Sequence, residues 1–279
     1  MSENKSTAEL ISYSGSAAQH YEKYAGPVFF EPYALEVAGR VDAAAVKVAL
    51  EIACGTGRVT RQLRKAMAPG SKLIATDISP DMLEVAKQEL KGLPIEWQVA
   101  DAQELSIEND SIDLIVCCFG YMFVPDKVKA FKEAYRVLRP GGTLLFTSWD
   151  QLALNGASNI HRQVIKKFLG GELPESYTLA FSLTDDDNIK NKLVQAGFND
   201  ITIERVDKTA QSSSANEVAT GLVYGGSIFN DIIKRNPDWI PQIQAEIEQE
   251  LIEKYGDAPM TSPMRALVTT AKKTSVQPY

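Results

Sequence analysis

The sequence has few cysteines, no long apolar run and no excess of basic charge. Its 279 residues include three cysteines, Cys54, Cys117 and Cys118, each within an apolar, strand-like run. This usage predicts free thiols in a reducing, cytoplasmic location rather than a disulfide framework. No apolar run approaches the roughly 20 residues that cross a bilayer, so no membrane insertion is expected. The formal net charge of −7 gives nucleic acid no electrostatic support as a partner.

Histidine is also scarce, which narrows the chemistry that the chain can perform. The two histidines, His20 and His161, are the candidates for a catalytic base, although a packed or solvated histidine is the more common outcome. Neither motif spacing nor periodicity selects one of them. Cys117 and Cys118 are adjacent in a predicted strand and therefore point to opposite faces. Because no other histidine or cysteine completes a ligand set, no metal site is predicted.

Residues 47–150 alternate short β-rich runs with helical runs. The predicted strands are 47–53, 72–76, 95–99, 112–118 and 143–148. Between the second and third strands, Ser79 is a good N-cap and Pro80 suits the first helical position, which predicts a helix there. Another helix is predicted at 126–138. Strands that alternate with helices favour an α/β fold with a doubly wound, mostly parallel sheet.

After residue 150 the pattern predicts two more strands, 201–206 and 266–271, which complete a seven-stranded sheet. The long stretch between them carries an apolar stripe at helical spacing. The stripe consists of Ile240, Ile243, Ile247 and Leu251. A structureless loop of this length would be unusual, so the sequence predicts a helical lid inserted before the last strand.

A glycine-rich turn follows the first predicted strand. The end of the strand and the turn together have the sequence Glu51-Ile52-Ala53-Cys54-Gly55-Thr56-Gly57. Asp77 directly follows the next predicted strand. Glycines let backbone and ligand approach closely, and a carboxylate at the next strand end can accept hydrogen bonds from ribose hydroxyls. The arrangement therefore predicts a nucleoside site. A dinucleotide fingerprint needs a third glycine, and Thr60 at that position disfavours NAD or a flavin.

Five segments of the chain carry a more specific signal in combination than any of them does alone. They are Glu51–Gly57, Asp77–Leu83, Ala100–Leu105, Ile112–Val116 and Arg136–Leu144. In order and in spacing they resemble the motifs of class I S-adenosylmethionine-dependent methyltransferases, in the ubiquinone/menaquinone-biosynthesis-like group (methyltransferase type 11/25). The resemblance covers about 47–150 and is loose elsewhere. It implies a Rossmann-like class I methyltransferase fold with S-adenosyl-L-methionine as the cofactor.

The resemblance also implies which residues hold the cofactor. Asp77 is expected to accept from the ribose hydroxyls and Asp101 from the adenine amino group, while Ile78 and Met82 enclose the adenine ring. The full implied set is Tyr24, Glu51, Ala53, Cys54, Gly55, Gly57, Arg58, Asp77, Ile78, Met82, Asp101, Ala102, Cys118 and Phe119. Simpler roles compete for several of them: Asp77 could cap a helix, Met82 could fill core, and Arg58 could lie on a helix surface.

The expected reaction is an in-line methyl transfer to an oxygen, nitrogen or carbon nucleophile of a small molecule. Such chemistry depends mainly on alignment and needs no nucleophilic residue of the enzyme. The predicted acceptor pocket consists of Tyr21, Phe29, Tyr121, Trp149 and Tyr224, although aromatic side chains often fill core instead. Two alternatives stay open: a non-catalytic S-adenosylmethionine-binding sensor or subunit, and an NAD-dependent oxidoreductase.

The predicted organisation has three parts. An N-terminal helical segment, 1–45, covers the active site. The methyltransferase domain comprises 46–210 and 261–279, and the helical lid comprises 211–260. The molecule is expected to be a monomer or a homodimer.

Overall fold

The computed structural model describes residues 16–42, 44–226 and 228–274. The beginning of the predicted N-terminal segment, residues 1–15, and the end of the chain, 275–279, lie outside this part, as do Ala43 and Ser227. Within the described residues, no helix combines the length and the apolar character that crossing a membrane requires.

Seven strands form one sheet in the order β3-β2-β1-β4-β5-β7-β6. The strands are β1 (Val48–Ile52), β2 (Lys72–Asp77), β3 (Glu96–Val99), β4 (Ile112–Cys118), β5 (Leu138–Trp149), β6 (Ile201–Ser212) and β7 (Met260–Lys272). The last strand, β7, runs antiparallel to its neighbours β5 and β6, and the other neighbouring pairs are parallel. This topology confirms the predicted class I methyltransferase fold.

Helices flank the sheet. They are α1 (Ser16–His20), a π-helical segment (Tyr21–Phe30), α2 (Glu31–Gly39), α3 (Arg58–Ala66), α4 (Pro80–Glu89), α5 (Lys127–Val137), α6 (Gly156–Phe168), α7 (Glu175–Leu179), α8 (Asp186–Ala196), α9 (Ala215–Tyr224), α10 (Phe229–Arg235) and α11 (Trp239–Tyr255). Short 3₁₀ turns occur at Tyr121–Phe123 and Leu152–Leu154. The stripe predicted in α11 is buried, so it packs as core. Along the chain, helices α9 to α11 come between β6 and β7, and their role as a lid stays a prediction.

The strands β6 and β7 are longer than the sequence predicts. Beyond 201–206 and 266–271, their pairing continues from Asp207↔Arg265 to Ser212↔Met260. The added residues are largely polar, and the buried apolar side chains among them are Ala210, Met260 and Met264. Arg265 and Asp207 form a partly exposed ion pair at 2.6 Å. So few apolar residues give only a weak alternation, which does not predict the strands this far. The predicted lid boundary at 211 falls inside β6.

The start of α4 shows how a local hydrogen bond sets the position at which a helix begins. The Ser79 hydroxyl accepts from the Met82 backbone N–H at 3.3 Å, and Pro80 occupies the first helical position. This N-cap places α4 directly after the Asp77 end of β2.

Replacing the cap should weaken the fold modestly. We expect Ser79→Ala to lower the free energy of unfolding by about 1 kcal/mol, because one helix N–H loses its acceptor. Urea unfolding measures the change, with Ser106→Ala, at an exposed serine between strands, as the matched control. Equal unfolding midpoints for the two variants would contradict the assigned cap.

Candidate active site

A cavity lies at the carboxyl ends of β1, β2, β4 and β5, where ligands bind in open α/β sheets. The π-helical segment and α9 also contribute residues to its wall. Residues that follow each strand contribute to its wall: Ala53 and Gly55 after β1, Asp77 at the end of β2, Phe119 after β4 and Trp149 at the end of β5. The sheet therefore brings together side chains from motifs that are well separated in the sequence.

The two glycines of the turn after β1 have different roles. Gly55 lines the cavity, and a Cβ atom there would meet no heavy atom within 4 Å. Gly57 lies away from the wall, where a Cβ atom would be 2.8 Å from Cδ1 of Leu90. Both have positive φ angles, +56° and +86°, which glycine adopts without steric cost. Gly55 thus leaves room for a ligand, whereas Gly57 allows α4 to pack closely.

Asp77 is the central polar group of the wall. Its Oδ2 accepts from the Gly55 N–H and its Oδ1 from the Ser79 N–H, both at 2.8 Å. Burial raises the pKa of Asp77 above its usual value, although the backbone N–H groups of Ser79 and Gly55 oppose this shift. Carboxylate oxygens can accept more than one hydrogen bond, so a ligand hydroxyl can still bind there.

The residues predicted to hold the adenine ring also lie on the cavity wall. Ile78, Met82, Asp101 and Ala102 all line it. The Oδ1 atom of Asp101 accepts from the Gln103 backbone N–H at 2.8 Å, which orients the carboxylate. Two acidic groups therefore stand at neighbouring strand ends, with apolar side chains between them.

Arg58 is placed differently from the prediction, since it holds the N-terminal helices instead of lining the cavity. Its guanidinium pairs with Glu22 at 2.7 Å and with Glu31 at 3.1 Å. The Thr56 hydroxyl also donates to Glu22, at 2.5 Å. Gly26 permits this contact, because a Cβ atom there would be 2.0 Å from Nε of Arg58. The glycine turn is thereby clamped to the segment that covers it.

Three further members of the predicted cofactor set are not on the wall. Glu51 is 1% exposed, its Oε2 has no hydrogen-bond partner, and burial raises its pKa to about 8. Cys54 is buried, and burial raises the pKa of its thiol. The Tyr24 ring lies 6.1 Å from that of His20. These residues support the turn and its cover from behind the surface that a ligand would touch.

Beyond the strand ends, the wall is aromatic. The Phe119 and Trp149 rings stack with centroids 4.1 Å apart, and Phe30 meets both edge-on at 5.4 and 5.8 Å. Tyr21 lies 5.0 Å from Phe30. The predicted residues Tyr21, Phe29, Cys118, Phe119 and Trp149 all line the cavity.

The structure corrects two of the predicted pocket aromatics. Tyr121 is fully buried in the core, 4.8 Å from Phe131 and 5.5 Å from Phe146, because the 3₁₀ turn after β4 directs it toward α5 and β5. Tyr224 packs against His20 and Phe229 at 5.4 and 5.5 Å. Neither lines the cavity, because both rings pack against side chains of other elements.

The two histidines occupy different environments. His161 lies on the cavity wall and is 5% exposed; burial lowers its pKa to about 4. His20 stacks on Tyr24 and Tyr224, away from the wall. Of the two predicted bases, therefore, His161 alone lines the cavity. In the described part of the chain, no cluster of three or more potential metal ligands occurs.

The roof of the cavity, defined as the π-helical segment and α9, depends on two glycines. A Cβ atom on Gly221 would be 2.9 Å from the Ala25 backbone nitrogen, and one on Gly225 would be 2.9 Å from the Tyr21 Cα. The two backbones are therefore in direct contact. Both glycines line the cavity.

Several wall residues carry no sequence signal. They are Met122, Phe123, Ser158, Tyr177, Ala180, Phe181 and Leu222. These residues come from α6, α7, α9 and two connections, and none belongs to a recognisable motif. Only the tertiary arrangement identifies them.

The fold and the placement of this cavity are those of the class I S-adenosylmethionine-dependent methyltransferases. The methyltransferase domain family matches residues 49–142. The chain is 33% identical over 170 residues to the demethylmenaquinone methyltransferase of Staphylococcus haemolyticus, covering 56% of this chain and 70% of that protein. A Staphylococcus epidermidis protein of the same name is 28% identical over 218 residues, covering 73% of this chain and 90% of the relative. The chain therefore belongs to the menaquinone/ubiquinone-type class I methyltransferases.

Solved structures agree on the fold. The Haemonchus contortus phosphoethanolamine N-methyltransferase 2 matches with a TM-score of 0.63 at 19% identity, covering 97% of this chain and 61% of that protein. The Bacillus subtilis protein YcgJ matches with a TM-score of 0.55 at 17% identity, covering 88% and 99%. The family and the fold confirm the prediction of a methyltransferase that uses S-adenosyl-L-methionine and acts on a small-molecule acceptor.

Proposed function

We propose that the methyl acceptor is an uncharged, hydroxylated aromatic ring of the quinol type. The observation that carries this proposal is the chemistry of the cavity wall. Among the described wall residues, Asp77 and Asp101 are the acidic side chains, and no lysine or arginine is present. A phosphate or carboxylate acceptor would find no cationic side chain on this wall to compensate for its burial, which is costly.

The relatives support the same acceptor class. The matched staphylococcal proteins are named for demethylmenaquinone, a quinone. By contrast, the Haemonchus contortus structure contains phosphomonomethylethanolamine, whose phosphate would find no cationic side chain on this wall. Stacked Phe119 and Trp149, with Phe30 against them, instead offer flat apolar surfaces to an aromatic ring.

The cofactor end of the proposal rests on Asp77, Asp101 and the open space at Gly55. Asp77 would accept from the ribose hydroxyls, and Asp101, with the Ala102 N–H, would bind the adenine edge. Ile78 and Met82 would pack on the base. When bound, S-adenosylmethionine supplies a methyl group on a positively charged sulfur, and transfer to a ring carbon leaves the neutral thioether and releases a proton from the acceptor.

The chain's own contribution to the reaction is alignment and exclusion of water. Phe30, Phe119 and Trp149 would orient the acceptor ring, and the roof would keep water out of the cavity. Holding the reacting groups in line can account for roughly 7–11 kcal/mol of a barrier in favourable cases. The oligomeric state and the cytoplasmic location stay predictions.

The acceptor class can be tested directly with the full chain. We expect anaerobic 1,4-dihydroxynaphthalene to receive a labelled methyl group from S-adenosylmethionine, and phosphoethanolamine to receive none, because the wall offers no cation for its phosphate. Mass spectrometry of the product identifies the methylated atom. Efficient methylation of phosphoethanolamine, or of a carboxylate acceptor in preference to the quinol, would contradict the proposal.

A further inference from the structure

The wall formed by α6, α7 and residues 180–183, here called the α6–α7 wall, is fixed by hydrogen bonds to backbone carbonyls. The Tyr177 hydroxyl donates to the Ser158 carbonyl at 2.9 Å, the Ser182 hydroxyl to that of Met122 at 2.9 Å, and the Ser148 hydroxyl to that of Leu183 at 2.7 Å. These bonds tie α7 to α6, and they tie the residues that follow α7 to the 3₁₀ turn after β4 and to β5. Their hydroxyl protons are already committed, so these three hydroxyls have no proton left to donate to a ligand.

His161 is the exception on this wall. Its Nε2 atom is buried and has no hydrogen-bond partner. Seven side-chain nitrogen and oxygen atoms share this condition in the described part of the chain, and His161 is the member of that group that lines the cavity. A buried polar atom without a partner is costly. A ligand that supplied the missing hydrogen bond would recover that cost.

The surroundings of His161 suit a planar, hydroxylated ligand. Its ring lies 5.4 Å from that of Tyr177, which lies 6.4 Å from that of Phe181, and both of these aromatic residues line the cavity. Burial lowers the pKa of His161 to about 4, so at neutral pH the imidazole is uncharged and has one nitrogen that donates and one that accepts. Such a group recognises a hydroxyl or carbonyl oxygen without needing a charge. It is a weak proton acceptor, which separates this role from that of a general base.

We propose that His161 determines specificity by forming a hydrogen bond with one ring oxygen of the acceptor on the α6–α7 wall. This inference rests on the proposed function, because it takes the quinol-type ring as the ligand. The aromatic side chains would hold the face of the ring, and His161 would set its rotation in the cavity. An acceptor without an oxygen at that position would leave Nε2 unpaired and would bind more weakly.

Equilibrium binding tests this role without requiring turnover. Calorimetry on the full chain saturated with S-adenosylhomocysteine would compare 1,4-dihydroxynaphthalene with 1,4-difluoronaphthalene, which keeps the ring shape and lacks the hydroxyls. We expect the wild type to prefer the diol by about tenfold, a typical size for one hydrogen bond. In His161→Leu the preference should fall to within about threefold, and His161→Gln, which restores a polar amide, should recover part of it.

The matched control is the same substitution at the other histidine, His20→Leu, which lies off the cavity wall and should retain the preference for the diol. A purely structural role of His161 would weaken both ligands equally and leave their ratio unchanged, which would overturn the inference. Failure of the wild type to bind the diol would overturn it as well. Binding with the expected ratios but without methylation would uphold the role of His161 and reject the proposed reaction instead.

Discussion

Asp77→Ala is expected to reduce the affinity for S-adenosylhomocysteine by roughly 10- to 150-fold. The carboxylate lies on the cavity wall, and in the proposed function it accepts from the ribose hydroxyls. Hydrogen bonds to a charged group are worth about 1.5–3 kcal/mol, which corresponds to this range of affinity. The substitution also removes the acceptor for the N–H groups of Gly55 and Ser79, so the turn that borders the ligand loses its orientation. Isothermal calorimetry measures the loss.

The matched control for this substitution is Asp113→Ala. Asp113 accepts from the backbone N–H groups of Val48 and Lys47 at 2.8 and 3.0 Å and pairs with Arg139 at 2.7 Å. It is therefore a carboxylate with the same kind of backbone partners, at the opposite end of β1. We expect this variant to lose stability but to bind S-adenosylhomocysteine like the wild type. If Asp77→Ala also bound like the wild type, the ribose assignment would be wrong.

Gly221→Ala is the second change with a large expected effect. The added Cβ would be 2.9 Å from the Ala25 nitrogen and 3.0 Å from the Tyr24 carbonyl carbon. These are backbone atoms, so they cannot rotate away and the two elements of the roof must separate. Overpacking of this kind costs about 1–3 kcal/mol. Because the roof carries Tyr21 and Phe30, a shift of this size is expected to lower kcat/KM by roughly 10- to 100-fold.

Gly39→Ala provides the comparison, because a Cβ atom there would meet nothing within 4 Å. Alanine in a helix is favoured over glycine by up to about 1 kcal/mol, so this variant should be as stable as the wild type or more stable. Thermal unfolding and steady-state kinetics distinguish the two substitutions. Wild-type stability and activity in Gly221→Ala would contradict the prediction, because they would show that the added methyl group does not disturb the roof.

The part of the cavity wall at the strand ends could be predicted closely from the sequence. Gly55, Asp77, Ile78, Met82 and Asp101 were all expected at the site, and the structure places each on the wall. They follow directly after strands, and the carboxyl ends of parallel strands share one edge of the sheet. The position of each residue along its own strand therefore predicts its position in the fold.

Predictions that depended on packing between distant segments were less accurate. Arg58 was expected at the cofactor and instead pairs with Glu22 and Glu31. Tyr121 was expected in the pocket and instead fills core. An arginine or a tyrosine near a motif has several possible partners, and which partner it takes depends on elements that approach only after folding.

By itself, the sequence determined the fold class and the position of the glycine turn, because strand, turn and cap signals are local and lie within a few residues of one another. Its motifs implied the cofactor through their resemblance to a known family. Only the tertiary structure decided the acceptor side. His161, Tyr177, Gly221 and Gly225 come from elements far apart in the chain and meet over the ends of the strands. Their contacts are neutral and largely apolar. Such contacts depend on how well the packed surfaces fit each other, and they leave no fixed spacing of residue types in the sequence.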